Sequence, residues 1–364
     1  MPRPLRALVA ALALAVPVPV AVAQVTPAPA PPAPVPPVAP APTPPPVPRH
    51  PALATGWATA LVAGETVRAT PAVTAAATGT VASVRIAGRV GGAAFDDAGA
   101  VWLRVAFPDA VAGWVPGEAL VAAAAPAELS PATRRVLTRR VASMGPAAAL
   151  VVRDPLGRTL FAAGTTAPLS IASVTKLATV AAALERRAVP LGRVASILGP
   201  SDNVRAQALS TTVVGDGSRA LGARRAVDVL ATFGAGWRLV DGSGLSPSNR
   251  ASAGEVADML LGVREAPRFR TLFRGMPVAA RSGTLQDRMG GTAAAGRVRA
   301  KTGSLFDTPA SALAGYVWPA GSGLSPDRAF VMVMLVNRVS PYRARPVQDA
   351  VAAALAAPGA ITRG

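Results

Sequence analysis

Two lysines carry the chemistry that this sequence suggests most strongly. The chain has 37 Lys and Arg residues, and only Lys176 and Lys301 among them are lysines. An arginine stays protonated at any working pH, whereas a lysine loses its proton when its surroundings lower its pKa. Lys176 stands three residues after Ser173, and Lys301 opens the run K-T-G-S. Both lysines therefore lie where an amine, rather than a generic positive charge, can be required.

Ser173 and Lys176 form an S-x-x-K pair at the start of a predicted long helix, residues 173–187. Side chains three residues apart lie on the same face of a helix, so the amine can reach the hydroxyl. A serine hydroxyl is a weak nucleophile unless a base lies within hydrogen-bond reach, and a desolvated lysine or one beside another cation can be that base. We expect Ser173 to be the nucleophile and Lys176 the general base, with Lys301 as the neighbouring cation.

A second group, S-D-N, lies in a predicted loop. Ser201 and Asn203 are two residues apart, so both can point into one cleft. We expect Ser201 to relay a proton between Lys176 and the leaving group, and Asn203 to hold the substrate amide. Asp202 is expected to be structural. The alternative for all three residues is a turn that caps the helix predicted from Val204.

The third group, K-T-G-S, follows a β-type run and is predicted to hold the substrate. We expect Lys301 and Thr302 to bind a carboxylate, and Gly303 to let the substrate backbone approach closely. The backbone N–H groups of Ser173 and Ser304 are expected to form an oxyanion hole.

The three motifs stand in the order found in β-lactamases and penicillin-binding proteins. Each is weak alone, but together they are specific, and further segments extend the match: D-G-S-G-L-S (241–246), A-R-S-G-T-L (280–285) and A-A-G-R-V-R-A (294–300). The chain from 128 to 357 resembles the class C low-molecular-mass penicillin-binding proteins, the D-alanyl-D-alanine carboxypeptidase/endopeptidase family. The D-G-S-G-L segment distinguishes that family from the class A β-lactamases.

The resemblance implies a penicillin-binding/β-lactamase-like transpeptidase fold of the layered α/β (α+β) type. It also implies an acyl-enzyme on Ser173, peptidoglycan stem peptides as substrate, β-lactams as covalent inhibitors, and no metal or organic cofactor. One departure is large: the family's two inserted domains are missing, because Ser173 and Ser201 are only 28 positions apart. We expect substrate choice to be affected, since the inserted region helps to recognise the peptide side chain. Arg281 and Arg343 are candidates for contacting an acidic stem peptide, although a solvated surface role is the simpler interpretation.

The N-terminal residues are typical of an export signal and a spacer. Residues 1–23 combine Arg3 and Arg6, an apolar run and the small-residue pattern A-V-A, which predicts a signal peptide. Residues 24–51 are dominated by Pro, Ala and Val and predict an extended linker. We expect export to the periplasm or cell wall, with no stable membrane span after cleavage; an uncleaved anchor is the alternative.

Residues 52–122 predict a small all-β barrel. Short β-type runs at 67–69, 81–86, 101–105 and 113–115 are separated by glycines. The W-x-x-V and G-W-V segments resemble the bacterial Src-homology-3-like domains of wall enzymes, which implies peptidoglycan binding. We expect Trp102 and Trp114 to be core residues rather than ligand-stacking ones.

Residues 128–360 are predicted to form the serine D,D-peptidase domain. Helices are expected over 130–144, 173–187, 204–210, 220–233, 252–264 and 346–356, and β-type runs over 147–153, 158–162, 296–300, 311–318 and 330–337. Helices followed by a sheet and a final helix predict a layered α/β domain.

Composition removes several other classes of function. There is no cysteine, and the lone His50 lies in the Pro-rich stretch, so thiol chemistry, a histidine-dependent triad and a histidine metal cluster are not expected. The formal net charge of +18 makes nucleic-acid binding a candidate function, but the arginines are scattered and aromatic residues are only 4% of the chain. We expect no nucleic-acid partner.

Two other functions stay open at this point. A β-lactamase needs a fast deacylating base, and the candidates Glu255 and Glu265 lie on predicted helix surfaces. A non-catalytic wall-binding adaptor would need none of the motif residues, which argues against it.

Overall fold

The structure is a computed structural model that describes residues 50–82, 86–107, 111–123 and 125–363. The predicted signal peptide, residues 1–23, lies outside the described residues. So does the predicted linker, residues 24–51, except for His50 and Pro51. His50 caps a short helix, α1 (Pro51–Thr55), by accepting a hydrogen bond from the backbone N–H of Ala52 through Nδ1.

The N-terminal part of the described chain is an antiparallel sheet with a core of its own. Its seven strands are β1 (Trp57–Ala60), β2 (Thr66–Arg68), β3 (Ala77–Thr80), β4 (Gly88–Phe95), β5 (Val101–Ala106), β6 (Ala112–Pro116) and β7 (Leu120–Ala122). They lie in the order β3-β2-β6-β5-β4-β1-β7. The all-β prediction for this region is confirmed. Trp102 is only 1% exposed and donates its indole N–H to Asp96, so it is a core residue as expected, whereas Trp114 is half-buried.

The sequence suggested that Gly88, Gly91 and Gly92 separate strands, but all three lie within β4. The ends of the predicted strand over 81–86, Val81 and Ile86, lie outside the strands, and residues 83–85 lie outside the described residues. A side chain on Gly88 would place Cβ 2.3 Å from Val105 Cγ1, so glycine lets β4 pass close to that core residue. The register shifts between Val90 and Gly92, which marks a β-bulge.

The C-terminal part is built on an antiparallel sheet of five strands. These are β9 (Ala148–Arg153), β10 (Thr159–Gly164), β13 (Val298–Leu305), β14 (Ala310–Val317) and β15 (Phe330–Asn337), in the order β10-β9-β15-β14-β13. Two short pairs accompany it: β8 (Ala127–Leu129) with β16 (Ile361–Arg363), and β11 (Leu169–Ser170) with β12 (Arg250–Ala251).

Helices cover both faces of this sheet. They are α2 (Pro131–Ala142), α3 (Thr175–Arg186), α4 (Leu191–Leu198), α5 (Asn203–Leu209), α6 (Arg219–Ala231), α7 (Ala253–Glu265), α8 (Arg270–Gly275) and α9 (Pro341–Ala356). Alternate residues of β15 belong to different cores: Val331 and Val333 pack with α3 and α7, whereas Met332 and Met334 pack with α2 and α9. A sheet buried on both faces explains why β15 is continuously apolar. The layered α/β prediction is confirmed.

The last helix begins earlier than the sequence suggests. Pro346 was expected to open it, but α9 begins at Pro341, where the Ser340 hydroxyl accepts the N–H of Tyr342. Pro341 already provides the favourable first-turn proline, and Pro346 lies inside the helix. Of the helices in the described ranges, none is both long and apolar enough to cross a membrane.

Candidate active site

Ser173 lies on a tightly constrained turn just before α3. The turn is a 3-10 helix, Ala172–Val174, and Ala172 has a left-handed φ of 46°. Such a φ is unfavourable for a residue with a side chain and persists only where surrounding contacts impose it. Gly244, with a φ of +85°, packs closely against this turn, since a Cβ there would stand 2.2 Å from the Ala172 carbonyl oxygen. Packing therefore fixes the position of the Ser173 hydroxyl.

Lys176 is fully buried and holds the Ser173 hydroxyl. Its Nζ donates to Ser173 Oγ at 2.8 Å, as the three-residue spacing predicted. It also donates to Asn203 Oδ1 at 2.7 Å, a contact that the sequence did not predict. A third bond goes to the backbone carbonyl of Ser243. With three acceptors around it, the amine has a defined position against the nucleophile.

Ser243 is a site residue that the sequence analysis did not identify. Its loop is organised by the buried carboxylate of Asp241, which accepts the backbone N–H groups of Ser243 (2.7 Å), Gly244 (2.6 Å) and Ser246 (2.9 Å) and the Ser243 hydroxyl (2.9 Å). The signal was present in the D-G-S-G-L-S segment, because an Asp followed by small residues is typical of a turn closed by its own side chain. The sequence did not show that the turn aims a carbonyl at Lys176.

Ser201 contacts Lys301 rather than Lys176. Its backbone is left-handed, with a φ of 64°, and its hydroxyl accepts a hydrogen bond from Lys301 Nζ at 2.8 Å. Asp202 caps α5 through the backbone N–H of Arg205, as the structural interpretation expected. Asn203 uses its side-chain oxygen on Lys176, which leaves the amide nitrogen as the group it can offer a substrate.

The K-T-G-S run lies on β13, one of the two edge strands of the five-stranded sheet. Lys301 is fully buried and also donates to the Thr302 carbonyl at 2.7 Å, while the Thr302 hydroxyl bonds that of Thr284 at 2.8 Å. A Cβ on Gly303 would stand 2.8 Å from the Ile171 carbonyl oxygen and 3.1 Å from the Ser173 nitrogen. Glycine thus lets the edge strand run directly beside the nucleophile.

Two further residues at this strand were not identified from the sequence. Thr284 belongs to the A-R-S-G-T-L segment, which the sequence analysis noted without assigning a role. Arg345, on α9, donates to the Ser304 hydroxyl at 3.1 Å. Nothing near Arg345 in the sequence distinguishes it from the other arginines, so only the packing of α9 shows this contact.

Burial is the main reason that the pKa of each lysine is lowered. It lowers the pKa of Lys176 to about 8, against the opposing effect of the Asp241 and Asp202 carboxylates. Burial, together with the charge of Lys176, holds the pKa of Lys301 well below the ordinary lysine value. The sequence analysis gave Lys301 as the cation that activates Lys176; in the structure, loss of water around Lys176 is the main reason that its pKa falls.

This electrostatic state predicts a pH dependence. If Lys176 must be neutral to accept the Ser173 proton, acylation by benzylpenicillin should rise about tenfold per pH unit below the pKa of about 8 and level off above it. The sign follows because the protonated amine cannot act as a base. The measurement is the acylation rate between about pH 6 and about pH 9, with a thermal melt at each pH as control. A flat profile would contradict a base with this pKa.

No three His, Cys, Asp or Glu side chains in the described part of the chain are grouped closely enough to hold a metal ion. The site brings together the Ser173 hydroxyl, two buried amines and the edge strand β13. These groups can carry out nucleophilic acyl transfer.

Comparison with known proteins gives a family. The sequence model of the D-Ala-D-Ala carboxypeptidase 3 (S13) family matches residues 131–357, more than half of the chain. A D-alanyl-D-alanine carboxypeptidase of Actinomadura sp. (strain R39) is 42% identical over 141 residues, which cover 37% of this chain and 25% of that protein. Carboxypeptidase DacB of Mycolicibacterium smegmatis is 35% identical over 177 residues, 45% of this chain and 36% of that protein.

The chain thus spans about a quarter to about a third of the length of these curated relatives. Among solved structures, penicillin binding protein 4 of Haemophilus influenzae, in complex with a β-lactam, is similar with 25% identity and a TM-score of 0.37, over 44% of this chain and 39% of that one.

Proposed function

Because the chain belongs to the D-Ala-D-Ala carboxypeptidase 3 (S13) family, we propose that it is an exported serine-type D-alanyl-D-alanine carboxypeptidase that removes the terminal D-Ala of peptidoglycan stem peptides. The observation that carries the proposal is the buried Lys176 amine 2.8 Å from the Ser173 hydroxyl. A neutral amine at that distance can take the proton of the hydroxyl as it attacks. We include D,D-endopeptidase activity on cross-links in the proposal, since the bond has the same chemistry.

Acylation begins when Lys176 accepts the Ser173 proton. Ser173 Oγ then attacks the carbonyl carbon of the penultimate D-Ala, and the resulting oxyanion is stabilised by the backbone N–H groups of Ser173 and Ser304. When the intermediate collapses, the C–N bond breaks and the amine of the leaving D-Ala receives a proton through Ser201. The Lys301–Ser201 hydrogen bond supports that route, because Lys301 can replace the proton that Ser201 gives up, while Lys176 keeps the proton of Ser173. Water then attacks the ester and gives one proton to Lys301 through Ser201. Lys176 returns its proton to Ser173 Oγ as the ester bond breaks, which frees Ser173.

Substrate binding is assigned to the second and third motifs. The Asn203 amide nitrogen is offered to the peptide bond, and the terminal carboxylate is assigned to the Thr302 hydroxyl with the charge of Lys301 behind it. Lys301 is fully buried and donates hydrogen bonds to the Ser201 hydroxyl and the Thr302 carbonyl, so we assign its effect on the carboxylate mainly to its charge. Gly303 lets the strand run close to the nucleophile, since a Cβ there would stand 2.8 Å from the Ile171 carbonyl oxygen.

The alternatives are less well supported. A β-lactamase needs a free base for fast deacylation, but Glu255 accepts the N–H groups of Ser252 and Gly236 in a helix cap, and Glu265 lies beside Arg264 at the end of α7. A non-catalytic adaptor would not require both lysines to be buried against serine hydroxyls, since burying an amine is unfavourable without a function for it.

The test is digestion of purified muropeptides, with the products identified by mass. Loss of one alanine from pentapeptides supports the carboxypeptidase, and splitting of cross-linked dimers supports the endopeptidase. Rapid turnover of penicillin with intact muropeptides would support a β-lactamase instead. Ser173→Ala, which removes only the nucleophilic oxygen, is the control.

We also propose that residues 52–122 form a bacterial Src-homology-3-like domain that binds the wall, preceded by the signal peptide (1–23) and linker (24–51) and followed by the peptidase domain (128–360). The separate core of the N-terminal sheet supports an independent module. The net charge of +18 is suited to anionic wall polymers in the periplasm or cell wall.

Deleting residues 52–122 should leave D-Ala release from a small soluble peptide nearly unchanged but weaken retention on insoluble wall. All three motifs lie downstream of the deletion, and the deleted sheet has its own core. The measurement is the bound fraction in a wall sedimentation assay, with a thermal melt to show that the shortened chain is folded. Equal sedimentation of both forms would rule out wall targeting by this module.

A further inference from the structure

A cleft of about 380 Å³ lies beside β11, the short strand that leads into the turn of the nucleophile. Its walls come from both strands of the β11–β12 pair, from the segments just before β9 and β14, and from the end of β15. Neither Ser173 nor Lys176 nor Lys301 lines it, so it is separate from the candidate active site. Its volume is in the range of small-molecule sites.

Two arginines from different segments line this cleft. Arg250, on β12, is held by a hydrogen bond from Nη1 to the Pro168 carbonyl at 3.2 Å. Arg338, directly after β15, has a left-handed φ of 62°, and its backbone N–H donates to the Pro309 carbonyl at 2.8 Å. Such a backbone is unfavourable for an arginine and persists only where contacts impose it. Packing therefore fixes where Arg338 leaves the chain.

The charge of both arginines is unbalanced. In the described part of the chain no carboxylate pairs with Arg250 or Arg338, and no Asp or Glu residue lines the cleft. By contrast, Arg288 is paired with Asp349 at 2.6 Å. Two unpaired guanidinium groups in one cleft attract an anion.

Ser170 adds a buried hydroxyl that has no partner among the described residues. The residue is 2% exposed and lines the cleft, and its Oγ makes no hydrogen bond. Its backbone is fully bonded, because the Asn337 side chain accepts its N–H at 2.8 Å and donates to its carbonyl at 3.0 Å. Burying a hydroxyl without a partner is unfavourable. A ligand in the cleft can supply the missing acceptor.

These donors favour a phosphate over a carboxylate. The two oxygens of a carboxylate lie in one plane and match a single guanidinium, whereas a tetrahedral phosphate presents oxygens to donors from several directions. The cleft is larger than a phosphate group, and the rings of Pro146, Pro168 and Pro309 can contact carbon atoms attached to it. We propose that this cleft binds a phosphate ester of a small polyol or sugar, with its phosphate on Arg250, Arg338 and Ser170.

The surroundings of the cleft favour a water-soluble ester over a lipid headgroup. Of the large apolar side chains that are exposed in the described ranges, none lines the cleft. A protein surface that lies on a membrane inserts such side chains among the lipids. Binding here needs no catalytic group, so it is independent of the proposed function.

The test is calorimetric titration of the full chain with glycerol 3-phosphate at low ionic strength. We expect saturable binding at one site, and Arg250→Gln and Arg338→Gln should each weaken it by about tenfold or more, as loss of a charge-assisted hydrogen bond does. Ser170→Ala should also weaken binding. Without ligand it should not lower the melting temperature, because the hydroxyl has no hydrogen bond to lose.

Arg238→Gln is the matched control. Arg238 is exposed and pairs with Arg250 through a backbone bridge, but it does not line the cleft, so this variant should keep most of the affinity. An equal loss in Arg238→Gln and Arg250→Gln would show attraction by general positive charge and overturn the inference. So would absence of binding, equal affinity for inorganic phosphate, tighter binding of glutarate, or binding only to vesicles of phosphatidylglycerol. Each of these outcomes leaves the proposed function standing.

Discussion

Lys176→Arg should reduce acylation of Ser173 by benzylpenicillin by at least about 10³-fold, although the positive charge is kept. The guanidinium cannot give up its proton, so the Ser173 hydroxyl loses its base. It is also larger than an amine, and Lys176 has no exposed surface into which the extra volume could extend. The measurement is the rate of covalent adduct formation, with a thermal melt to show that the variant is folded.

Lys301→Arg is the matched comparison, since Lys301 is the other lysine of the chain and is equally buried. Its proposed tasks are to hold Ser201 and to supply charge for a carboxylate, and an arginine can still do part of both. We expect measurable acylation with weaker substrate binding. The assignment of the base is wrong if Lys176→Arg acylates as fast as the wild type, or if Lys301→Arg is the more damaged variant.

Asp241→Ala should lower both stability and acylation, because one carboxylate accepts four hydrogen bonds in the loop that aims the Ser243 carbonyl at Lys176. Leaving these buried donors unsatisfied should reduce the free energy of unfolding by about 3 kcal/mol or more, which corresponds to a fall in melting temperature of roughly 10 °C. A displaced Lys176 should slow acylation by about 10²-fold. The measurements are a thermal melt and the adduct-formation rate.

Asp202→Ala is the control for the charge. Both carboxylates raise the pKa of Lys176, but Asp202 is half-exposed, caps α5 and pairs with Arg205 at 3.7 Å. Its loss should cost about 1 kcal/mol of stability and leave most of the acylation rate. If the two variants behave alike, the loop built by Asp241 has no special part in placing Lys176.

The sequence was most informative where spacing alone determines contact. The S-x-x-K interval predicts the Ser173–Lys176 hydrogen bond, and the order of the three motifs predicts the family, which the match over residues 131–357 confirms. The apolar run of β15 predicts a strand but not that alternate residues serve two cores, because both faces are apolar.

The site contacts that could not be predicted from the sequence join segments that are far apart in the chain. The Ser243 carbonyl is 67 residues from Lys176, and a backbone group has no residue type to mark it. Arg345 is one of many arginines until α9 is packed against β13. Ser201 was expected to relay a proton between Lys176 and the leaving group, yet its backbone is left-handed and its hydroxyl accepts a hydrogen bond from Lys301.

The most direct test of an acyl-enzyme on Ser173 is intact mass after incubation with benzylpenicillin. A β-lactam carbonyl presents the same target to the nucleophile as the D-Ala-D-Ala bond, so attack should leave one covalent adduct. We predict a single adduct on the wild type, located to the peptide that contains Ser173, and none on Ser173→Ala. An unmodified mass after long incubation of folded wild-type protein, or an adduct that persists on Ser173→Ala, would contradict the account.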